Sequence, residues 1–101
     1  MQIILKEKLP LILNVFKKNK VAKAYTFGSS NTDAFTATSD FDFLISFDNS
    51  LTPLQKGENW FILYYALKEI LMRDVDLVRE EDIKNPYLLQ SINKSRELIY
   101  G

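Results

Sequence analysis

Two aspartates separated by one residue, Asp40 and Asp42, are the first side chains whose types and spacing indicate chemistry. They open an alternating run that ends at Phe47, and the strand period of two puts its phenylalanines and Ile45 on the face opposite to the aspartates. Neighbouring carboxylates repel each other unless a cation lies between them. Mg²⁺, a hard ion that prefers oxygen ligands, suits such a pair. Taken alone, the pair fits a solvated strand edge equally well.

A Gly-Ser step precedes the aspartates and is separated from Asp40 by ten residues. The apolar-rich stretch 24–27 ends at Gly28, so we expect a strand to end there and a short helix to begin at Ser29. Glycine lets the backbone approach a ligand closely, and the N–H groups that open a helix bind phosphate oxygens. A phosphate-binding turn and a metal-binding pair together are what nucleotide chemistry requires.

A third carboxylate is expected on the short strand predicted at residues 74–78. The period of two places Asp74 and Asp76 on one face and directs Val75 and Leu77 to the core. Either aspartate is a candidate for the third ligand. A plain solvated face is the alternative interpretation.

The elements that must position these residues follow from apolar spacing and from turn signals. We predict helices over 2–19, 29–35, 52–72 and 87–95, and strands over 21–27, 41–47 and 74–78. Thr52-Pro53 is the expected start of the long helix, and residues 80–82 are an acidic lead-in to the last one. The order α-β-α-β-α-β-α predicts an α/β (α+β) fold in which a small, mixed, three-stranded sheet packs with about four helices.

The composition fits a single domain over residues 1–101 and excludes several kinds of site. Thirteen basic residues balance thirteen acidic ones, so no long nucleic acid is expected as a partner. The chain has no cysteine and no histidine, which removes disulfides, thiolate chemistry, histidine bases and the common zinc sites. No stretch approaches the roughly 20 apolar residues of a membrane span, so we expect no membrane and a cytoplasmic location.

The motifs together resemble those of a known family. Gly28-Ser29, the ten-residue spacer, the run 39–43 and the later run 75–78 are similar to the minimal nucleotidyltransferase domain, whose members are the smallest of the DNA polymerase beta-like superfamily. The resemblance covers nearly the whole chain and implies a nucleotidyltransferase-like fold. In that family two motif aspartates and a third on a later strand hold metal ions that carry a nucleoside triphosphate.

The resemblance also implies roles for individual residues. The nucleotide-binding residues would be Gly28, Ser29 and Ser30. The catalytic and metal-binding residues would be Asp40, Asp42 and Asp76, which favours Asp76 over the neighbouring aspartate. The implied ligands are ATP or another nucleoside triphosphate and Mg²⁺, as two ions, with Mn²⁺ as a substitute.

The implied function is transfer of AMP from ATP to a hydroxyl of another protein. A chain of 101 residues has no further domain to grip a template, so a second polypeptide is expected to present the acceptor. Family members of this length are often antitoxins encoded beside a small helical HEPN-type toxin, to which they transfer AMP on a tyrosine. The apolar run 60–67 in the long helix is a predicted docking surface, for such a toxin or for a homo-oligomer, with deep burial as the alternative.

One departure from the family pattern concerns charge. Many members have a basic residue where this chain has Ser30, and Lys23 is the only lysine or arginine between Val21 and Lys56. This predicts weak binding of a triphosphate. Two alternatives to this enzyme stay open. The first is a non-catalytic module that neutralises a helical partner by contact alone. The second, ranked below it, is a nucleotide-sugar glycosyltransferase, but the chain is short for such an enzyme, and its Asp-x-Asp motif does not require the Gly-Ser turn.

Overall fold

The computed structural model describes residues 3–28 and 40–101. Helix α1 (Ile3–Lys18) leads into strand β1 (Val21–Phe27), and strand β2 (Phe41–Phe47) is followed by helix α2 (Pro53–Leu71). Strand β3 (Val75–Arg79), a short 3-10 helix (Glu80–Asp82), helix α3 (Pro86–Ser95) and strand β4 (Glu97–Tyr100) complete the chain. None of the described helices is both long and apolar enough to span a membrane.

The sheet is mixed, as predicted, and its strand order is β3-β2-β1-β4. Strand β1 pairs antiparallel with β2 and with β4, whereas β2 and β3 run parallel. The predicted α/β class is confirmed, but the prediction of three strands is wrong, because β4 adds a fourth. This strand has only four residues, Glu97–Tyr100, and none of them is fully buried. Its sequence therefore has no alternation of apolar and polar residues that would predict a strand. The helix predicted at 29–35 lies outside the described residues.

Helices α1 and α2 cover one face of the sheet and form the main core with it. Phe41, Phe43, Ile45 and Phe47 are all buried there, as the alternation predicts. Leu44, predicted on the opposite face, is also fully buried. Beside it on that face, the Arg96 guanidinium, just after α3, lies 4.7 Å from the ring centroid of Tyr25, which is the β1 partner of Leu44. The aspartate face is therefore only partly open to solvent.

Helix α2 begins as the sequence predicts. The Thr52 side chain accepts from the Gln55 backbone N–H, and the Thr52 backbone N–H donates to the Gln55 side-chain oxygen. Pro53 is the first helical residue. The apolar run 60–67 divides between core and surface: Leu63 and Leu67 are buried, whereas other members are exposed. The exposed ones are Phe61 (58%), Ile62 (58%) and Tyr65 (63%). The prediction that part of this apolar helix stays uncovered in the isolated chain agrees with the structure.

Candidate functional site

Three strand ends meet at one edge of the sheet and bring the predicted site residues together. The parallel pairing of β2 with β3 places the start of both strands at this edge, and antiparallel β1 ends there. In this register Asp42 pairs with Asp76 on β3 and with Phe27 on β1. Asp42 therefore lies between the strand that carries Asp76 and the strand that leads into Gly28.

Gly28 lies against Asp42 with no room for a side chain. Its φ is +71°, in the left-handed region, and a Cβ added there would overlap Asp42 Oδ2. Its backbone N–H donates a 3.1 Å hydrogen bond to Ser95 Oγ at the end of α3. The turn that the sequence assigns to phosphate binding is thus fixed between a carboxylate and α3. Ser29 and Ser30, the other predicted members of this turn, lie outside the described residues.

The predicted aspartates differ in exposure and in neighbours. Asp42 is half-buried, whereas Asp40, Asp74 and Asp76 are exposed. Asp74 precedes β3, and its Oδ1 lies 3.7 Å from Lys68 Nζ on α2, so its charge is offset there. The strand register places Asp76, and not Asp74, next to Asp42.

The electrostatics of Asp42 show how these carboxylates affect one another. Burial, followed by the negative charges of Asp76 and then Asp40, raises the pKa of Asp42 from 3.8 to about 6. Every one of these causes opposes ionisation. A group of oxygen donors that repel each other at the edge of a sheet fits a divalent cation, because the ion would replace the repulsion with attraction.

The side-chain positions supply only part of an ion site. Within residues 3–28 and 40–101, no group of three acidic side chains converges closely enough to hold a metal. Asp76 and Asp40 are nevertheless close enough to act on the pKa of Asp42. The strand register pairs Asp42 with Asp76, and the raised pKa of Asp42 reflects their mutual repulsion as well as burial. The donors fit a cation bound at Asp42 and Asp76, with Asp40 at the margin.

A cation from the loop before β3 also reaches this edge. The Arg73 guanidinium lies 5.2 Å from the ring centroid of Phe41, the residue between the two motif aspartates. The Phe41 backbone N–H donates to the Asp74 carbonyl at 3.2 Å, which holds the loop in place. A search for basic residues near the Gly-Ser step misses Arg73, because it is distant in sequence. The signal that could have found it is its position directly before the predicted strand 74–78.

Asp42 gives the metal-free protein a defined pH dependence. Folding favours its protonated form, because its folded pKa of about 6 lies above the ordinary value of 3.8. That stability is fully present below about pH 4 and is lost as the pH rises through about 6. In EDTA at pH 7.5, Asp42→Asn is expected to melt a few degrees above the wild type. This corresponds to a gain of about 1 kcal/mol in the free energy of unfolding, after allowance for solvent screening. At pH 4 the two proteins should melt alike.

Thermal unfolding at both pH values checks this expectation. The control is Asp48→Asn at the far end of β2, where the carboxylate accepts from the Ser50 N–H at 2.8 Å and where no stabilisation is expected. Equal melting temperatures of Asp42→Asn and the wild type at pH 7.5 would show that burial and the neighbouring carboxylates do not raise the pKa of Asp42 as described.

Comparison with known proteins identifies the family to which the chain belongs. The family described as "Polymerase beta, Nucleotidyltransferase" matches residues 11–101. A protein of Methanocaldococcus jannaschii with the name "Putative protein adenylyltransferase" is 35% identical over 83 residues, which are 82% of this chain and 79% of the relative.

Solved structures show the same fold. A toxin-antitoxin structure with AMP-PNP has a TM-score of 0.72 at 23% identity and is matched over 92% of this chain and 73% of that chain. A tri-AMPylated HEPN toxin of Shewanella oneidensis in complex with an MNT antitoxin has a TM-score of 0.62 at 22% identity, over 95% and 71% of the two chains. At these identities the likeness establishes the fold, whereas the family match rests on sequence. The chain therefore belongs to the polymerase beta nucleotidyltransferase family of enzymes.

Proposed function

We propose that this chain is a protein adenylyltransferase that moves AMP from ATP to a tyrosine hydroxyl of a small helical HEPN-type toxin and acts as its antitoxin in the cytoplasm. The observation that carries the proposal is the strand register, which places Asp42 between Asp76 and the Gly28 turn. The name of the Methanocaldococcus jannaschii relative and the toxin complex of the MNT antitoxin support the choice of a protein acceptor.

In this proposal Asp40, Asp42 and Asp76 hold Mg²⁺, as two ions, or Mn²⁺ in its place. Bound there, the metal would supply positive charge that stabilises the attacking and leaving oxygens of the displacement. Asp76 accepts the proton of the acceptor hydroxyl. The hydroxyl oxygen bonds to the alpha phosphorus of ATP, the bond from that phosphorus to the bridging oxygen breaks, and pyrophosphate leaves with the electron pair.

The Gly28 turn has the complementary task of holding the phosphates. Its N–H is the donor in reach of a phosphate oxygen, and Ser29 and Ser30 are the proposed hydroxyl partners. In the structure Ser95 Oγ takes this N–H, so a phosphate must displace or share that contact.

Nucleotide binding by the proposed site is expected to require metal. Titration of the chain with a non-hydrolysable ATP analogue should give binding with Mg²⁺ and at least about tenfold weaker binding in EDTA, because three carboxylates face a polyphosphate of the same charge. Asp42→Asn should remove most of the metal-dependent part. Binding of equal strength with and without Mg²⁺ would contradict the assignment of the aspartates as metal-binding residues.

A contact-only antitoxin is the second candidate function, and the exposed apolar side chains of α2 favour it. Phe61, Ile62 and Tyr65 form an uncovered stripe suited to a protein partner. Such a module would neutralise its partner without ATP, and its neutralising activity would survive loss of the aspartates. An enzyme that must bind a protein substrate could use the same stripe, so the test that separates the two functions is whether neutralisation survives loss of the aspartates.

A further inference from the structure

Arg96, the residue directly after α3, lies on the same face of the sheet as the aspartates. Side chains alternate along a strand, so Asp42 and Leu44 of β2 share one face, and Leu44 pairs with Tyr25 on β1. The Arg96 guanidinium lies 4.7 Å from the centroid of the Tyr25 ring. Leu44 is two residues from Asp42, which is about 7 Å along the strand. A positive charge is thus held on this face, near the carboxylate that the register pairs with Asp76.

The contact of α3 with the Gly28 turn brings Arg96 close to the proposed phosphate site. Ser95 is the last residue of α3, and its Oγ accepts a 3.1 Å hydrogen bond from the Gly28 backbone N–H. The carboxyl end of a helix carries partial negative charge. Gly28 is therefore held between two negative groups, this helix end and the Asp42 carboxylate. A polyphosphate bound at the turn needs a cation nearby, because both groups repel it.

The Arg96 side chain is accessible and is held by weak contacts. It is 33% exposed, and its Nη1 lies 3.7 Å from Glu80 Oε1, beyond hydrogen-bond distance. Ion pairs between partly exposed side chains contribute little to stability, so a phosphate can replace Glu80 without loss of a strong ion pair. Arginine suits this exchange, because its planar guanidinium forms paired hydrogen bonds with phosphate oxygens.

We propose that Arg96 binds the polyphosphate of the nucleotide, an inference that rests on the proposed function. Its guanidinium leaves Glu80 and pairs with non-bridging phosphate oxygens. It supplies the positive charge that the Gly-Ser step lacks, since Lys23 is the only basic residue in the stretch 21–55. The metal at the aspartates and this guanidinium together neutralise the charge of the polyphosphate.

Arg96→Met tests the proposal, because it removes the charge and keeps an unbranched apolar side chain against Tyr25. The binding of a non-hydrolysable ATP analogue and of AMP is measured by calorimetry with Mg²⁺. We expect the Kd for the analogue to rise at least about tenfold, and the Kd for AMP, which carries a single phosphate, to rise by no more than about threefold. Arg96→Lys keeps the charge and should bind the analogue at least about threefold more tightly than Arg96→Met. Both variants should melt within a few degrees of the wild type.

Lys94→Met is the matched control, because it removes one positive charge from an exposed position in the last turn of α3. It should bind the analogue within about twofold of the wild type, since a charge that does not contact the ligand is screened by salt. An unchanged Kd for Arg96→Met overturns the proposal and leaves the proposed function standing.

Two further results would also overturn this role of Arg96 alone. One is an equal loss of affinity for AMP and for the analogue in Arg96→Met, which would show an effect on the fold or on the nucleoside. The other is an Arg96→Lys protein that binds the analogue no more tightly than Arg96→Met. If the wild type itself does not bind the analogue with Mg²⁺, the proposed function is wrong, and the role of Arg96 is overturned with it.

Discussion

A variant with both Asp40→Asn and Asp42→Asn is expected to transfer AMP at least about a thousandfold more slowly than the wild type. Loss of the two carboxylates removes metal stabilisation of the reacting phosphate, and about 4 kcal/mol corresponds to this factor at about 1.4 kcal/mol per tenfold. The measurement is the initial rate of AMP incorporation into the partner protein at saturating ATP and Mg²⁺. A rate within tenfold of the wild type would contradict the assignment of these residues.

The fold of this double variant should be intact. Asp40 is exposed and Asp42 is only half-buried. Neutral amides also avoid the burial of an ionised carboxylate and the repulsion from Asp76 and Asp40, which together raise the pKa of Asp42. Asp48→Asn is the control for the rate as well, because it makes the same chemical change at the other end of β2. It should transfer AMP within about twofold of the wild type.

Gly28→Ala has the second largest expected effect. A Cβ at this position overlaps Asp42 Oδ2, and a φ of +71° is unfavourable for alanine by roughly 1–2 kcal/mol. The carboxylate must move away or the turn must change shape, so we expect at least a hundredfold loss of transfer rate and a melting temperature lower by several degrees. Rate assays and thermal unfolding measure the two effects.

Gly57→Ala provides the matched control for this glycine substitution. Its Cβ meets no described atom within 4 Å and its backbone is helical, so it should raise stability by roughly 0.5–1 kcal/mol. A Gly28→Ala protein with a transfer rate within threefold of the wild type would mean that the contact with Asp42 has no part in the reaction.

The sequence predicts the face of each β2 residue but not all of the burial. Alternation in one strand is a local property, so the buried positions of Phe41, Phe43 and Phe47 are predictable. The burial of Leu44 does not follow from this alternation, and the contact of its strand partner Tyr25 with Arg96 joins segments that are distant in sequence. For the same reason β4 is missed, since its four residues become a strand by pairing with β1.

The candidate site shows the same division between local and long-range information. Motif spacing predicts Asp40, Asp42 and the Gly28 turn as site residues, because these residues are close in sequence. The choice between Asp74 and Asp76 depends on parallel strand register, which the structure supplies. The contacts of Ser95 with Gly28, and of Arg73 with Phe41, join distant segments and follow from tertiary packing alone.

The proposed reaction is tested most directly by the intact mass of the partner protein after incubation with this chain, ATP and Mg²⁺. The account predicts a gain of one or more AMP units with the wild type and no gain with the Asp40→Asn, Asp42→Asn variant. A partner that stays unmodified, and that both proteins neutralise equally well, would contradict the enzymatic account and establish neutralisation by contact.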